Sequence, residues 1–177
     1  MTVRLILMRH AKSSWDQLVS DHDRKLNNRG RASAAAMGNW LRENNYAPEE
    51  ALISTAKRTR ETFLGLRIEP KRIKFLRTLY HSSVRELMSA LKSSTEPTVL
   101  IISHNPTCAA FAEMMTEIPP KHERFRDFPT CATWVAEMDI QQWCEVEFKI
   151  ARTIAFAVPR EVISSEIALP GQDTRTG

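Results

Sequence analysis

The chain has few cysteines, no long apolar run and no internal repeat. Its three cysteines, Cys108, Cys131 and Cys144, are odd in number, and none forms a C-x-x-C pair. A disulfide framework and a cysteine-based zinc site are therefore not expected, and a reducing, cytoplasmic setting is. The first apolar run, Leu5 to Met8, is cut off by Arg9, His10 and Lys12, so no secretory signal is read there. Nothing approaches the ~18 consecutive apolar residues of a membrane span. There is no cluster of aspartates and glutamates of the kind that holds a metal, so no metal or other cofactor is expected. A basic-aromatic stripe, zinc-finger spacing and RNP-like sequence are also missing, which argues against nucleic acid as partner.

What is present is basic charge. The net charge is +4, and residues 57–77 carry Lys57, Arg58, Arg60, Arg67, Lys71, Arg72, Lys74 and Arg77 against only Glu61 and Glu69. Such a bias suits an anionic partner, either a small phosphorylated substrate or a phosphorylated protein. At 177 residues the chain reads as one domain, long enough to remove roughly 70% of its unfolded surface from water without staples. Residues 1–158 are assigned to that domain. Residues 159–177, which lose clear periodicity and end in "LPGQDTRTG", are assigned to a partly disordered C-terminal tail.

Strand and helix patterns alternate. Val3 to Met8 has the continuous apolar pattern of a buried parallel strand. Residues 11–28 read as a long polar loop, a kind that is often functional. Asn28 is expected to cap a helix from Arg29 to Asn44 with an apolar stripe of Ala32, Ala36, Met37, Trp40 and Leu41. Ala51 to Ser54 reads as a short strand, with Ser54 or Thr55 capping the next helix, and Ile73 to Leu76 as a third strand. "SVRE", Ser83 to Glu86, is a capping box. Thr98 to Ser103, "TVLIIS", is the clearest buried strand, and Asn105-Pro106 reads as the start of a helix running to about Glu117. "CATWVAEM" and "EFKIARTIAFAV" are strand-like. This order predicts a three-layer α/β/α sandwich with a mostly parallel central sheet.

Two of the strands end on a histidine. "LILMRH" delivers Arg9 and His10, and "LIISH" delivers His104 just before a helix. In open α/β sheets ligands bind at the carboxyl ends of the strands. Helix N-termini there offer free N–H groups to an anion. Arg58 opens the helix after "ALIS", at the same edge, and a guanidinium grips phosphate bidentately. Arg9, His10, Arg58 and His104 thus surround one phosphate-sized space. His22, His81 and His122 lack this context, and His122 is expected to be solvent-exposed.

In this order, "LMRHAKSSW", "LNNRG", "STAKRTRET", "LYHSS" and "VLIISHNP" resemble a SixA-type phosphohistidine phosphatase of the histidine phosphatase (phosphoglycerate mutase-like) superfamily. The resemblance spans residues 2 to about 158. It implies a phosphoglycerate mutase-like fold and a metal-independent phosphatase. His10 would be the nucleophile that becomes phosphorylated. Arg9 and Arg58 would hold the phosphoryl oxygens, His104 would be the second pocket histidine, and Asn105 would join the substrate-binding residues. The implied substrate is phosphohistidine on a protein. The alternatives are a broad phosphomonoesterase or mutase on the same fold, and a phosphate-binding module without turnover. Two departures stand out. Ala11 replaces the glycine many relatives have after Arg-His. "RTLYHSS" lacks the glutamate that serves as general acid in the mutase-like branch, leaving Asp16, Asp21, Asp23 and His81 as candidate substitutes.

Overall fold

The structure is a computed structural model that describes residues 2–15 and 18–168; the candidate acid Asp16 and the segment 169–177 lie outside the described residues. Six strands form one sheet: β1 (Val3–Arg9), β2 (Glu50–Ser54), β3 (Arg72–Leu76), β4 (Thr98–Ser103), β5 (Thr133–Met138) and β6 (Arg152–Ala157). Among the described residues five α-helices surround it: α1 (Asn28–Glu43), α2 (Lys57–Leu66), α3 (Val84–Lys92), α4 (Thr107–Met115) and α5 (Pro159–Ala168). The strand order is β3-β2-β4-β1-β5-β6. The first four strands run parallel, and β5 and β6 are antiparallel to their neighbours. The mostly parallel three-layer sandwich expected from the sequence is the fold observed.

The layers follow from the period of two along each strand. In β1, Leu5 and Leu7 face one side with Leu52, Val99, Ile101 and Phe111, under α3 and α4. Ile6 and Met8 face the other with Ile53, Ile102, Met37, Leu41 and Phe63, under α1 and α2. Both faces of β1 and β4 are covered, which explains their unbroken apolar sequences. Among the described residues no helix is long and apolar enough to cross a membrane.

Several helix starts differ from the sequence reading. Asn27, not Asn28, caps α1, its side chain accepting from Gly30 N at 2.8 Å. In the α1 stripe Ala32 is exposed, whereas Ala34 and Gly38 are buried. The start of α2 has no side-chain cap, because Ser54 and Thr55 bond elsewhere. Asn105 likewise does not cap α4, which begins at Thr107 and ends at Met115. The Ser83–Glu86 capping box is formed as expected. The stretch expected to begin a tail at Pro159 instead forms α5, with Val162 buried in the cluster shared with α1. α5 docks against α1 through Val162 and the partly buried Ile163, a pairing of segments far apart in sequence that local periodicity does not reveal.

Candidate active site

The strand order decides the site. β4 lies between β1 and β2, so the carboxyl ends of β2, β4 and β1 are adjacent. Arg9 of β1 pairs with Ser103 of β4, which places His10 and His104, the next residues, side by side. Their ring centroids are 5.2 Å apart. α2, leaving β2, carries Arg58 to the same place: its Nε donates to His10 Nε2 at 3.3 Å. His10, Arg58 and His104 are all buried.

His10 is held by its own chain. Its Nδ1 lies 2.8 Å from Ala11 O, so Nδ1–H donates to that carbonyl and Nε2 keeps its lone pair. Ala11 is not among the residues with positive φ, and alanine serves here without strain. Ala11 N in turn donates to Thr62 Oγ1 at 2.9 Å, and that hydroxyl donates to Arg58 O at 2.6 Å. The backbone after β1 is thereby tied to α2. Gly30 makes the same segment possible from the other side. A Cβ there would lie 2.1 Å from Lys12 O, so only glycine lets α1 approach this closely.

Burial, reinforced by Arg58, Arg9 and Arg24, lowers the His10 pKa to about 3 against the opposing pull of the Ala11 carbonyl. Burial likewise lowers His104 to about 2, helped by His10 and Arg58. Both rings are neutral at physiological pH. His104 Nε2 sits 2.7 Å from Ser54 Oγ. Among the described residues its Nδ1 is buried with no hydrogen-bond partner, as is Arg9 Nε, while Arg9 Nη1 donates to Phe128 O at 3.2 Å. Buried polar atoms left without partners cost about 1–3 kcal/mol each. Two such atoms on residues at the carboxyl ends of β1 and β4 are the pattern of a site built to meet a polar ligand. Asn105 stands next to it, but its amide N–H groups are engaged by Asp127 O and Phe128 O, tying down the 127–128 loop, with Oδ1 left buried and unpartnered.

The structure sorts the candidate acids. Burial alone would raise the Asp21 carboxyl, but Tyr80, Arg24 and Arg58 together hold it well below the usual carboxylate range. It is a carboxylate at neutral pH and has no proton to give. Asp23, lowered by the Ser20 hydroxyl and by His22, is ionised too. His81 is exposed and lies against Tyr80, ring centroids 4.0 Å apart.

Sequence reasoning missed several site residues. His22 reaches the rim, its Nε2 3.0 Å from Thr55 Oγ1 and its ring edge-on to Tyr80 at 4.9 Å. Tyr80 also meets His104 edge-on at 5.7 Å. Ser54 reads locally as a helix cap, and Arg24 and Thr62 carry no local signal. The last strand residue before a pocket helix was the one usable clue to Ser54. His122, expected in solvent, is half-buried, beside Phe156 and 3.1 Å from Glu161.

Residues 5–77 match the model of the histidine phosphatase superfamily, branch 1. An uncharacterized protein of Mycobacterium leprae is 35% identical over 164 residues, covering 86% of this chain and all of that protein. A solved structure of a putative phosphohistidine phosphatase SixA from Nakamurella multipartitia superposes with a TM-score of 0.80 at 27% identity, covering 90% of this chain and 97% of that one. Its counterpart from Agrobacterium tumefaciens gives 0.72 at 28% identity, covering 89% and 98%. The chain belongs to the histidine phosphatase superfamily. Within it the chain is of the SixA type, and it is a phosphatase.

Proposed function

We propose that this phosphatase removes the phosphoryl group from phosphohistidine on a protein, such as a phosphotransfer domain, with His10 as nucleophile. The observation that carries the reading is the state of His10. It is neutral, fixed through Nδ1 to Ala11 O, with the Nε2 lone pair turned toward Arg58. A nucleophilic imidazole needs that protonation state and that orientation.

In the first step Nε2 attacks phosphorus and the bond from phosphorus to the leaving imidazole breaks, its electron pair staying on the departing nitrogen. Arg9 and Arg58 hold the phosphoryl oxygens and offset the charge spread over them in transfer. Water then attacks the phosphorylated His10, the P–Nε2 bond breaks, and inorganic phosphate leaves. His104, neutral and hydrogen-bonded to Ser54, lines the other side of the phosphoryl site. Asn105 contributes by fixing the loop whose Phe128 carbonyl also receives Arg9.

The leaving group decides the substrate class. An alkyl phosphate releases an alkoxide, which needs a proton in the transition state, and such general acid catalysis typically contributes about 10²–10⁴-fold. Asp21 and Asp23 are ionised and do not supply it. Imidazole is a far better leaving group once its ring nitrogen carries a proton from solvent. With these two carboxylates unable to protonate a leaving alkoxide, the pocket is better matched to P–N than to alkyl P–O cleavage. The test is kcat/KM at one pH on a histidine-phosphorylated phosphotransfer domain, para-nitrophenyl phosphate and phosphoglycerate. The expected order is phosphohistidine first, aryl phosphate second, alkyl phosphate last. An alkyl phosphate that equals or exceeds phosphohistidine overturns the reading.

A further inference from the structure

Arg58 is held from behind. Its Nη1 donates to Asp21 O at 2.6 Å and its Nη2 to Asp21 Oδ2 at 3.1 Å, while its Nε faces His10 Nε2. Both terminal nitrogens are thus engaged by one residue, and the remaining nitrogen is aimed at the atom that would receive phosphorus. Asp21 is itself held from three sides. Oδ1 accepts from Arg24 Nη1 at 2.9 Å, and Oδ2 accepts from Tyr80 Oη at 2.8 Å as well as from Arg58. Arg24 is anchored in turn by Ser14 O and Ser13 Oγ and lies 3.7 Å from the centre of the Trp15 ring.

Three segments meet at this carboxylate: the loop after β1, the first turn of α2, and the turn after β3 that carries Tyr80. An arginine on a long flexible stem has many rotamers, and only a few aim its fork correctly. We infer that Asp21 is a positioning residue that fixes the guanidinium of Arg58 toward the phosphoryl group on His10, with Tyr80 and Arg24 holding Asp21 in place. The inference rests on the reading that Arg58 binds the phosphoryl oxygens. It gives Asp21 a role opposite to the proton donor considered from the sequence: the residue acts as a permanent anion, through Arg58, without touching substrate.

The test uses para-nitrophenyl phosphate, so that it does not depend on protein specificity, and vanadate as a mimic of the five-coordinate phosphoryl group. Wild type, Asp21→Ala, Asp21→Asn, Arg58→Ala and the Asp21→Ala/Arg58→Ala double variant are compared in kcat, KM, vanadate inhibition constant and thermal midpoint. Asp21→Ala is expected to lower kcat/KM about tenfold to a hundredfold, the cost of a misplaced catalytic contact, and to weaken vanadate by a similar factor. Asp21→Asn, which keeps an acceptor but no charge, is expected to recover part of the loss. In the Arg58→Ala background, removing Asp21 is expected to cost nothing further, because the two residues act as one unit.

Additive losses in the double variant, or a loss that merely tracks the thermal midpoint, overturn the inference. So does tighter vanadate binding in Asp21→Ala, which makes Asp21 a competitor of the substrate. Arg58→Ala with unchanged kcat/KM removes the underlying reading of Arg58 itself. That outcome is told apart from the others because it is seen in the single Arg58 variant.

Discussion

The rings of His10 and His104 lie 5.2 Å apart because β1 and β4 are hydrogen-bonded neighbours paired at Arg9 and Ser103. Each histidine is the first residue beyond its strand, so the register of one parallel pair sets the geometry of both. A one-residue shift of this register would turn every side chain of β1 to the opposite layer, against partners packed to fit the other set.

Replacing His10 with Ala is expected to abolish phosphatase activity and leave the thermal transition in place. Wild-type protein quenched during turnover should carry an acid-labile, alkali-stable phosphate on His10, read by mass spectrometry after alkaline digestion. The phosphate found on serine, aspartate or cysteine would exclude the mechanism. A chelator is expected to leave turnover unchanged, since positively charged side chains are assigned the role of a metal.

Arg58→Ala should weaken phosphate-analogue binding far more than Arg60→Ala. Arg58 is buried against His10, whereas Arg60 lies 5.4 Å from the Phe75 ring at the sheet edge. Loss of a charge-assisted contact corresponds to about 1.5–3 kcal/mol. Calorimetry with tungstate measures the difference, and equal effects would assign the wrong arginine.

The two buried histidines make stability depend on pH with a definite sign. Their folded-state pKa values, about 3 for His10 and about 2 for His104, lie below the ordinary 6.5. As pH falls through 6.5, the unfolded chain takes up protons that the folded chain does not. This contribution is fully present above pH 6.5 and declines toward pH 3. Each ring adds a slope of about 1.4 kcal/mol per pH unit in that window. Urea unfolding between about pH 6 and pH 4.5 should therefore show a shallower decline in His104→Gln than in wild type, by that amount. Identical slopes would mean that His104 titrates like an exposed histidine.

Gly30→Ala is expected to destabilise the fold by roughly 1–3 kcal/mol, the range for overpacking. The added Cβ would meet the Lys12 carbonyl at 2.1 Å, and a backbone atom cannot move aside as a side chain would. Because Lys12 follows Ala11, which holds His10, kcat should fall together with the denaturation midpoint. An unchanged midpoint and kcat would show that α1 can shift without disturbing the loop.

Local sequence was enough for what local forces build. Continuous apolar runs marked β1 and β4, since a strand covered on both faces leaves no room for alternation. The Ser83–Glu86 capping box opened α3 because both of its hydrogen bonds join neighbouring residues. The histidines at the strand ends and the arginine opening α2 were legible for the same reason: position along an element is written in the chain. The order of the strands was not. Only the tertiary structure put β4 between β1 and β2, and so brought Arg58 to His10 across 48 residues and Tyr80 to Asp21 across 59. Ser54 carries every mark of a helix cap, yet it bonds His104, because a partner delivered by the neighbouring strand takes its hydroxyl instead of the helix N–H groups. From the sequence Asp21 reads as a candidate proton donor in a polar loop. Its ionisation and its hold on Arg58 depend on cations and a hydroxyl that come from distant segments, and no periodicity or spacing encodes such a meeting.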